Sequence, residues 1–128
     1  MPWKYAPPEI RDAVNRELGY DVYVTARRAF DRAMAADPNA VISRFFSTPE
    51  EHARIQGAVP LSQHLAGLAV DVTPSPGRYE PLAEALRREG FWVKTYPSRS
   101  HLHAQVFEPA RFQKILPILR RLGIYGGR

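Results

Sequence analysis

The ten-residue stretch Ser62-Gln63-His64-Leu65-Ala66-Gly67-Leu68-Ala69-Val70-Asp71 constrains this chain more than any other. It sets an imidazole and a carboxylate seven positions apart, joined by small and apolar residues. Gly67 permits a tight backbone change between them. Beyond it, Ala69-Val70-Asp71-Val72 reads as a strand, with Val70 and Val72 on one face and Asp71 on the other. A carboxylate between two valines must be paired, hydrogen-bonded or on a metal, because an unpaired buried charge is costly. Imidazole and carboxylate together suit a divalent zinc ion, which takes both in tetrahedral sites.

A second stretch, Ser100-His101-Leu102-His103-Ala104-Gln105-Val106-Phe107, alternates. His101, His103 and Gln105 share one strand face, and Leu102, Ala104 and Val106 share the other. Laid beside the Asp71 strand, the two polar faces converge. His64, Asp71 and His103 then become three protein ligands, with a fourth position left for water, the arrangement of catalytic zinc. The rival reading is a hydrogen-bonded core cluster of the same three residues without metal.

The pattern Ser-x-His-x-x-Gly-x-Ala-x-Asp, followed by His-x-His on a strand, resembles the zinc D-alanyl-D-alanine carboxypeptidase and peptidoglycan endopeptidase family. That family shares its fold with the hedgehog signalling domain. The resemblance runs back through Val41-Ile42-Ser43-Arg44-Phe45-Phe46-Ser47-Thr48-Pro49-Glu50-Glu51-His52 and forward to His101 and His103, leaving the first forty or so residues uncovered. It implies a hedgehog/DD-peptidase-like α+β fold, a Zn2+ cofactor and cleavage of the peptide stems of peptidoglycan. It also implies that Ser62 and Arg44 orient substrate. The family's arginine follows Ser-Gly-Tyr in the first strand. Here Ser43-Arg44-Phe45-Phe46 displaces it by two positions, and alternation keeps positions two apart on one face. Arg44 is therefore either aimed into the site or snorkelling at a sheet edge.

The family's acidic general base precedes the last histidine. The corresponding segment, Thr95-Tyr96-Pro97-Ser98-Arg99-Ser100, contains no Asp or Glu. A base is worth roughly two to four orders of magnitude in rate. His101 is the substitute on offer, and otherwise only donates a hydrogen bond beside the site. The enzyme reading accordingly stands beside a second one: a catalytically weak or inactive zinc-binding module with a structural or wall-binding role.

Composition narrows the remaining classes. At 128 residues and 45% hydrophobic content, the chain has the makings of one core. With no cysteine, thiolate zinc sites and disulfides are excluded. Net charge is +5 and the pI about 9.9, which favours polyanions such as wall polymers. The pairs Arg27-Arg28, Arg87-Arg88 and Arg120-Arg121 are not interleaved with aromatics as a nucleic-acid platform would be. The expected partner is peptidoglycan or its peptide, with no nucleic acid, and the expected state a monomer. No run is long enough for a transmembrane helix, and Met1-Pro2-Trp3-Lys4-Tyr5 lacks the apolar core of a signal peptide. The expected location is cytoplasmic until release, or that of a phage-encoded protein acting at the wall.

The chain is expected to form one domain, with a helical lead (1–40), a metal-site core (41–107) and a C-terminal helix (108–128). Spacing predicts helices from Pro8 to Leu18, Thr25 to Ala36 and Tyr79 to Glu89. Tyr20–Val24 reads equally as a short strand or as a lead-in to the second helix. Strands are expected over Ala40–Phe46 and Phe91–Tyr96, the latter forming a hairpin with the His101 strand. Thr48 is a candidate N-cap for a short helix holding His52, and Gln56–Pro60 a loop. Pro109–Leu122 reads as one helix kinked at Pro117. The order implies an antiparallel sheet with helices packed on one side.

Overall fold

The computed structural model describes residues 4–46, 48, 51, 54 and 62–123. Helix α1 (Pro8–Leu18) begins at a proline, whose missing N–H is no loss in a first turn, and stops at left-handed Gly19, which donates to the Asn15 carbonyl. Asp21 caps α2 (Val22–Met34), its carboxylate accepting from the Tyr23 and Val24 N–H groups. That cap decides the Tyr20–Val24 segment in favour of a helix start. Then follow β1 (Val41–Arg44), a 3-10 turn (Gln63–Ala66), β2 (Ala69–Thr73), α3 (Tyr79–Arg88), β3 (Trp92–Lys94), β4 (Leu102–Gln105), α4 (Pro109–Phe112) and α5 (Leu116–Arg121).

The four strands form one sheet in the order β1-β2-β4-β3, every neighbouring pair antiparallel. The architecture is α+β. Val70, Val72, Leu102 and Ala104 point to one face and are fully buried. They join Phe30 of α2 and Leu82 and Leu86 of α3 in a cluster that runs from Ala6 to Leu119. Each large side chain in it contributes about 1.5–3 kcal/mol through burial. Helix α3 packs on α2 and on the β3–β4 hairpin, covering that face. The opposite face carries Asp71 and His103.

The expected strands are longer than those observed, because other groups take their end residues. The Tyr79 hydroxyl accepts the Tyr96 N–H at 2.7 Å and donates to the His101 carbonyl at 2.9 Å. Pairing of β3 with β4 ends there. At the other end, the Val106 N–H donates to the Leu68 carbonyl at 2.9 Å rather than to a strand.

The single C-terminal helix is corrected to two, α4 and α5. Pro117 cannot donate to a preceding turn and its ring clashes with the carbonyl four residues back. The chain therefore breaks after Phe112 and restarts with Pro117 in the first turn of α5. Thr48 caps as expected: its N–H donates to Glu51 Oε1 and its Oγ1 accepts the Glu51 N–H, a reciprocal capping box. His52 and the Gln56–Pro60 loop lie outside the described residues. No helix among the described residues is long and apolar enough to cross a membrane.

Candidate metal centre

The turn that carries His64 is built locally and braced from afar. The Ser62 hydroxyl caps it by accepting the His64 N–H at 3.1 Å. Gly67 ends it with φ 70° and donates to the His64 carbonyl. A Cβ at Gly67 would lie 2.9 Å from the Ala6 Cβ and 3.1 Å from the Ala6 nitrogen, so this position requires glycine both for its torsion and for its space. The buried Tyr23 hydroxyl donates to the Ala66 carbonyl at 2.8 Å. The N-terminal segment and α2, which the motif leaves unexplained, thus hold the turn in place.

Asp71 and His103 sit directly opposite each other on β2 and β4. Asp71 Oδ1 lies 2.9 Å from His103 Nδ1 and 3.2 Å from His64 Nε2. One ligand atom from each of the three residues falls within 4.8 Å of the others, and His64 is 2% exposed. Among the described residues this is the group able to hold a metal ion.

The proton arrangement shows why a cation suits it. His64 Nδ1 lies 2.8 Å from the Phe45 carbonyl, an obligate acceptor, so Nδ1 carries the proton. On the other imidazole, His103 Nε2 lies 2.7 Å from Gln105 Oε1. Gln105 is oriented by its Nε2, which donates to the Phe107 carbonyl at 2.7 Å. The same Phe107 peptide is clamped by Gln63, which accepts its N–H and donates to its carbonyl. Gln105 therefore accepts, and His103 keeps its proton on Nε2. Held this way, the two rings turn their other nitrogens, His64 Nε2 and His103 Nδ1, onto one carboxylate oxygen.

Three lone pairs facing one another repel unless a proton or a metal ion lies between them. Burial pushes His64 below its ordinary pKa, against the pull of the Asp71 carboxylate, so a second proton there is disfavoured. Burial also works against the Asp71 anion, but a proton shared with either facing histidine nitrogen outweighs it and holds the carboxyl well below the usual range. The site presents one carboxylate and two imidazole nitrogens, a donor set for a divalent cation.

Arg44 reaches this site, though not by simple alternation. Ile42 pairs with Val72 and Arg44 with Asp71, which leaves Ser43 as a bulged residue. Without the bulge Arg44 would share the face of Ile42, which packs against the core. With it, Arg44 Nη1 lies 3.9 Å from Asp71 Oδ2, the oxygen not shared by the histidines. His101 is not part of the ligand group. Its ring stacks on Tyr96 with centroids 4.4 Å apart. Ser62 is buried beneath His64.

Sequence reasoning places Gln105 on the His103 face but assigns it no task, and misses Gln63, the Phe45 carbonyl and Tyr96. Alternation is the signal that could have found Gln105. Gln63 has none, since its partner lies 44 residues away. No family model, no curated protein and no solved structure matches the chain.

Proposed function

We propose that the chain is a zinc-dependent peptidase of the hedgehog/DD-peptidase type, cleaving the peptide stems of bacterial peptidoglycan. The observation that carries this reading is the convergence of His64 Nε2, His103 Nδ1 and Asp71 Oδ1 with their outer protons already committed. Tetrahedral zinc with ligands at about 2.1 Å sets them about 3.4 Å apart, close to the 3.2 and 2.9 Å separations between Asp71 Oδ1 and the two histidines. Zinc held there supplies an acidified water and a polarised substrate carbonyl. Arg44, beside Asp71, is placed to hold a substrate oxygen, while Ser62 acts by holding His64. His101, beside Tyr96 at the hairpin, is the candidate acceptor for the water proton.

A second reading is a zinc-binding module that does not hydrolyse. It is favoured by where the carboxylates go: Glu80 pairs with Arg99, Glu84 with Arg87 and Glu51 with Thr48. Asp71 is the only carboxylate in the ligand group among the described residues.

Digestion of purified peptidoglycan and of a peptide ending in D-Ala-D-Ala separates the two. Products from the zinc-loaded wild type that vanish in His64→Ala support the peptidase. Zinc retention without products, together with activity created by Ser100→Glu, supports the module.

A further inference from the structure

Every charged side chain of the described residues after Glu108 is a cation. Helices α4 and α5 and the turn between them hold Arg111, Lys114, Arg120 and Arg121, and no Asp or Glu occurs beyond position 108. All four are exposed, as are Gln113 and Pro117 among them. The buried residues say which way they point. Phe112, Ile115, Leu116, Ile118 and Leu119 face the core, and residues three or four apart share a side of a helical turn. Arg111 with Lys114, and Pro117 with Arg120 and Arg121, therefore lie on the outward side.

The charge on this face is not compensated. On α2 and α3 acids stand among the arginines and form the pairs Arg27–Asp31, Arg32–Glu89 and Arg87–Glu84. Helix α1 packs against α5 and carries Glu9, Asp12 and Glu17. Even so, no carboxylate of the described residues lies within ion-pair distance of the four cations. Arg111 is held over the Phe107 ring instead, 5.4 Å from its centroid, a contact that orients a cation without neutralising it. Leu122, next to Arg121, is 38% exposed.

We infer that this face docks on an anionic lipid surface, independently of what the metal centre does. A bilayer presents its charges as a sheet, which the convex outer side of two short helices lies against. Single-stranded nucleic acid is instead tracked by a groove with stacking aromatics, and the exposed side chains of 109–123 include no aromatic ring. A cluster of four or more Lys and Arg holds a protein at anionic headgroups, and an exposed apolar side chain at its edge, here Leu122, enters the headgroup layer. Each cation near such a surface is worth about fivefold in binding. The four together favour anionic over neutral lipid roughly several-hundred-fold.

The test is co-sedimentation with vesicles of phosphatidylcholine, alone or mixed equally with phosphatidylglycerol. It is run at about 0.1 M salt, where exposed charges more than about 10 Å apart are screened. The proteins are wild type, Arg111→Gln with Lys114→Gln, Arg120→Gln with Arg121→Gln, and Arg87→Gln with Arg88→Gln on α3, which changes the net charge equally. Wild type should sediment with the mixed vesicles and not with phosphatidylcholine alone. Each pair on the C-terminal helices should weaken that binding about 25-fold, and the α3 pair should leave most of it. A wild type that ignores anionic lipid overturns the inference. So does an equal loss in the α3 variant, which makes net charge rather than this face the cause. Tighter binding to a short DNA duplex than to the vesicles, lost in the same two variants, assigns the face to nucleic acid and overturns it as well.

Discussion

His64 and Asp71 meet lone pair to lone pair: Nε2 lies 3.2 Å from Oδ1, while the His64 proton is committed on the far side of the ring to the Phe45 carbonyl. Two acceptors at this separation repel unless a proton or a metal ion lies between them. The relationship suits the cluster to a cation rather than to a self-sufficient hydrogen-bonded core.

Adding zinc should therefore stabilise the fold. At free zinc a hundred times its dissociation constant the gain is about 2.7 kcal/mol, a rise in melting temperature of roughly 10 °C for a domain of this size. Elemental analysis should find close to one zinc per chain, and a chelator should reverse the shift. In His64→Ala both effects should vanish. A melting curve indifferent to zinc in the wild type would reject the metal centre.

Gln105 should matter to metal affinity although it supplies no ligand. Replacing it with leucine removes the acceptor that keeps the His103 proton on Nε2 and leaves Nδ1 free to protonate instead. Loss of such an outer partner typically lowers affinity 10- to 100-fold. Competition against a chromogenic chelator measures this directly. An unchanged affinity in Gln105→Leu would mean that the tautomer is set some other way.

Gly67 and Gly77 have similar left-handed torsions, φ 70° and 80°, but only Gly67 has a neighbour in the way of a Cβ. Alanine costs about 1–2 kcal/mol in torsion at either site. At Gly67 the collision with Ala6 adds roughly 1–3 kcal/mol. Urea unfolding should rank Gly67→Ala well below Gly77→Ala, and Ala6→Gly should restore much of the difference. Equal losses would show that the Ala6 packing is not tight.

Asp37 gives the acid response a defined sign. It is buried and accepts the Ser75 N–H at 2.8 Å as well as the Ser75 hydroxyl. Burial works to raise its carboxyl, but the Ser75 and Asn39 hydrogen bonds and the Arg78 charge hold it below the ordinary 3.8. A depressed folded pKa contributes stability above the unfolded value of about 3.9, and loses it as pH falls through the folded one. Asp37→Asn should be less stable than wild type at pH 7, and the gap should narrow by pH 2. Urea midpoints at the two pH values decide it, and a constant gap would count against an ionised Asp37.

Much of the site is legible in the amino-acid sequence. Positions 64 to 71 carry two of the three candidate ligands in a contiguous stretch, and period-two alternation places Asp71 and His103 on polar strand faces. The Gly67 turn, the Thr48 cap and the antiparallel α+β layout follow from equally local signals. Arg44 shows where alternation stops being enough: only the Ser43 bulge turns Arg44 towards Asp71. The split of the last helix at Pro117 shows the same limit, as a kink and a break share one local cause.

The sequence by itself determined which residues form the candidate cation site and which elements carry them, because residue spacing and strand periodicity are properties of neighbours in the chain. The tertiary structure alone decided which proton His64 keeps, that α2 and Ala6 brace the ligand turn, and that Gln63 clamps Phe107. Those outcomes depend on hydrogen bonds and strand pairings between groups 19, 43 or 44 residues apart, and such partners are chosen by how the whole chain packs, not by any pattern that one segment carries.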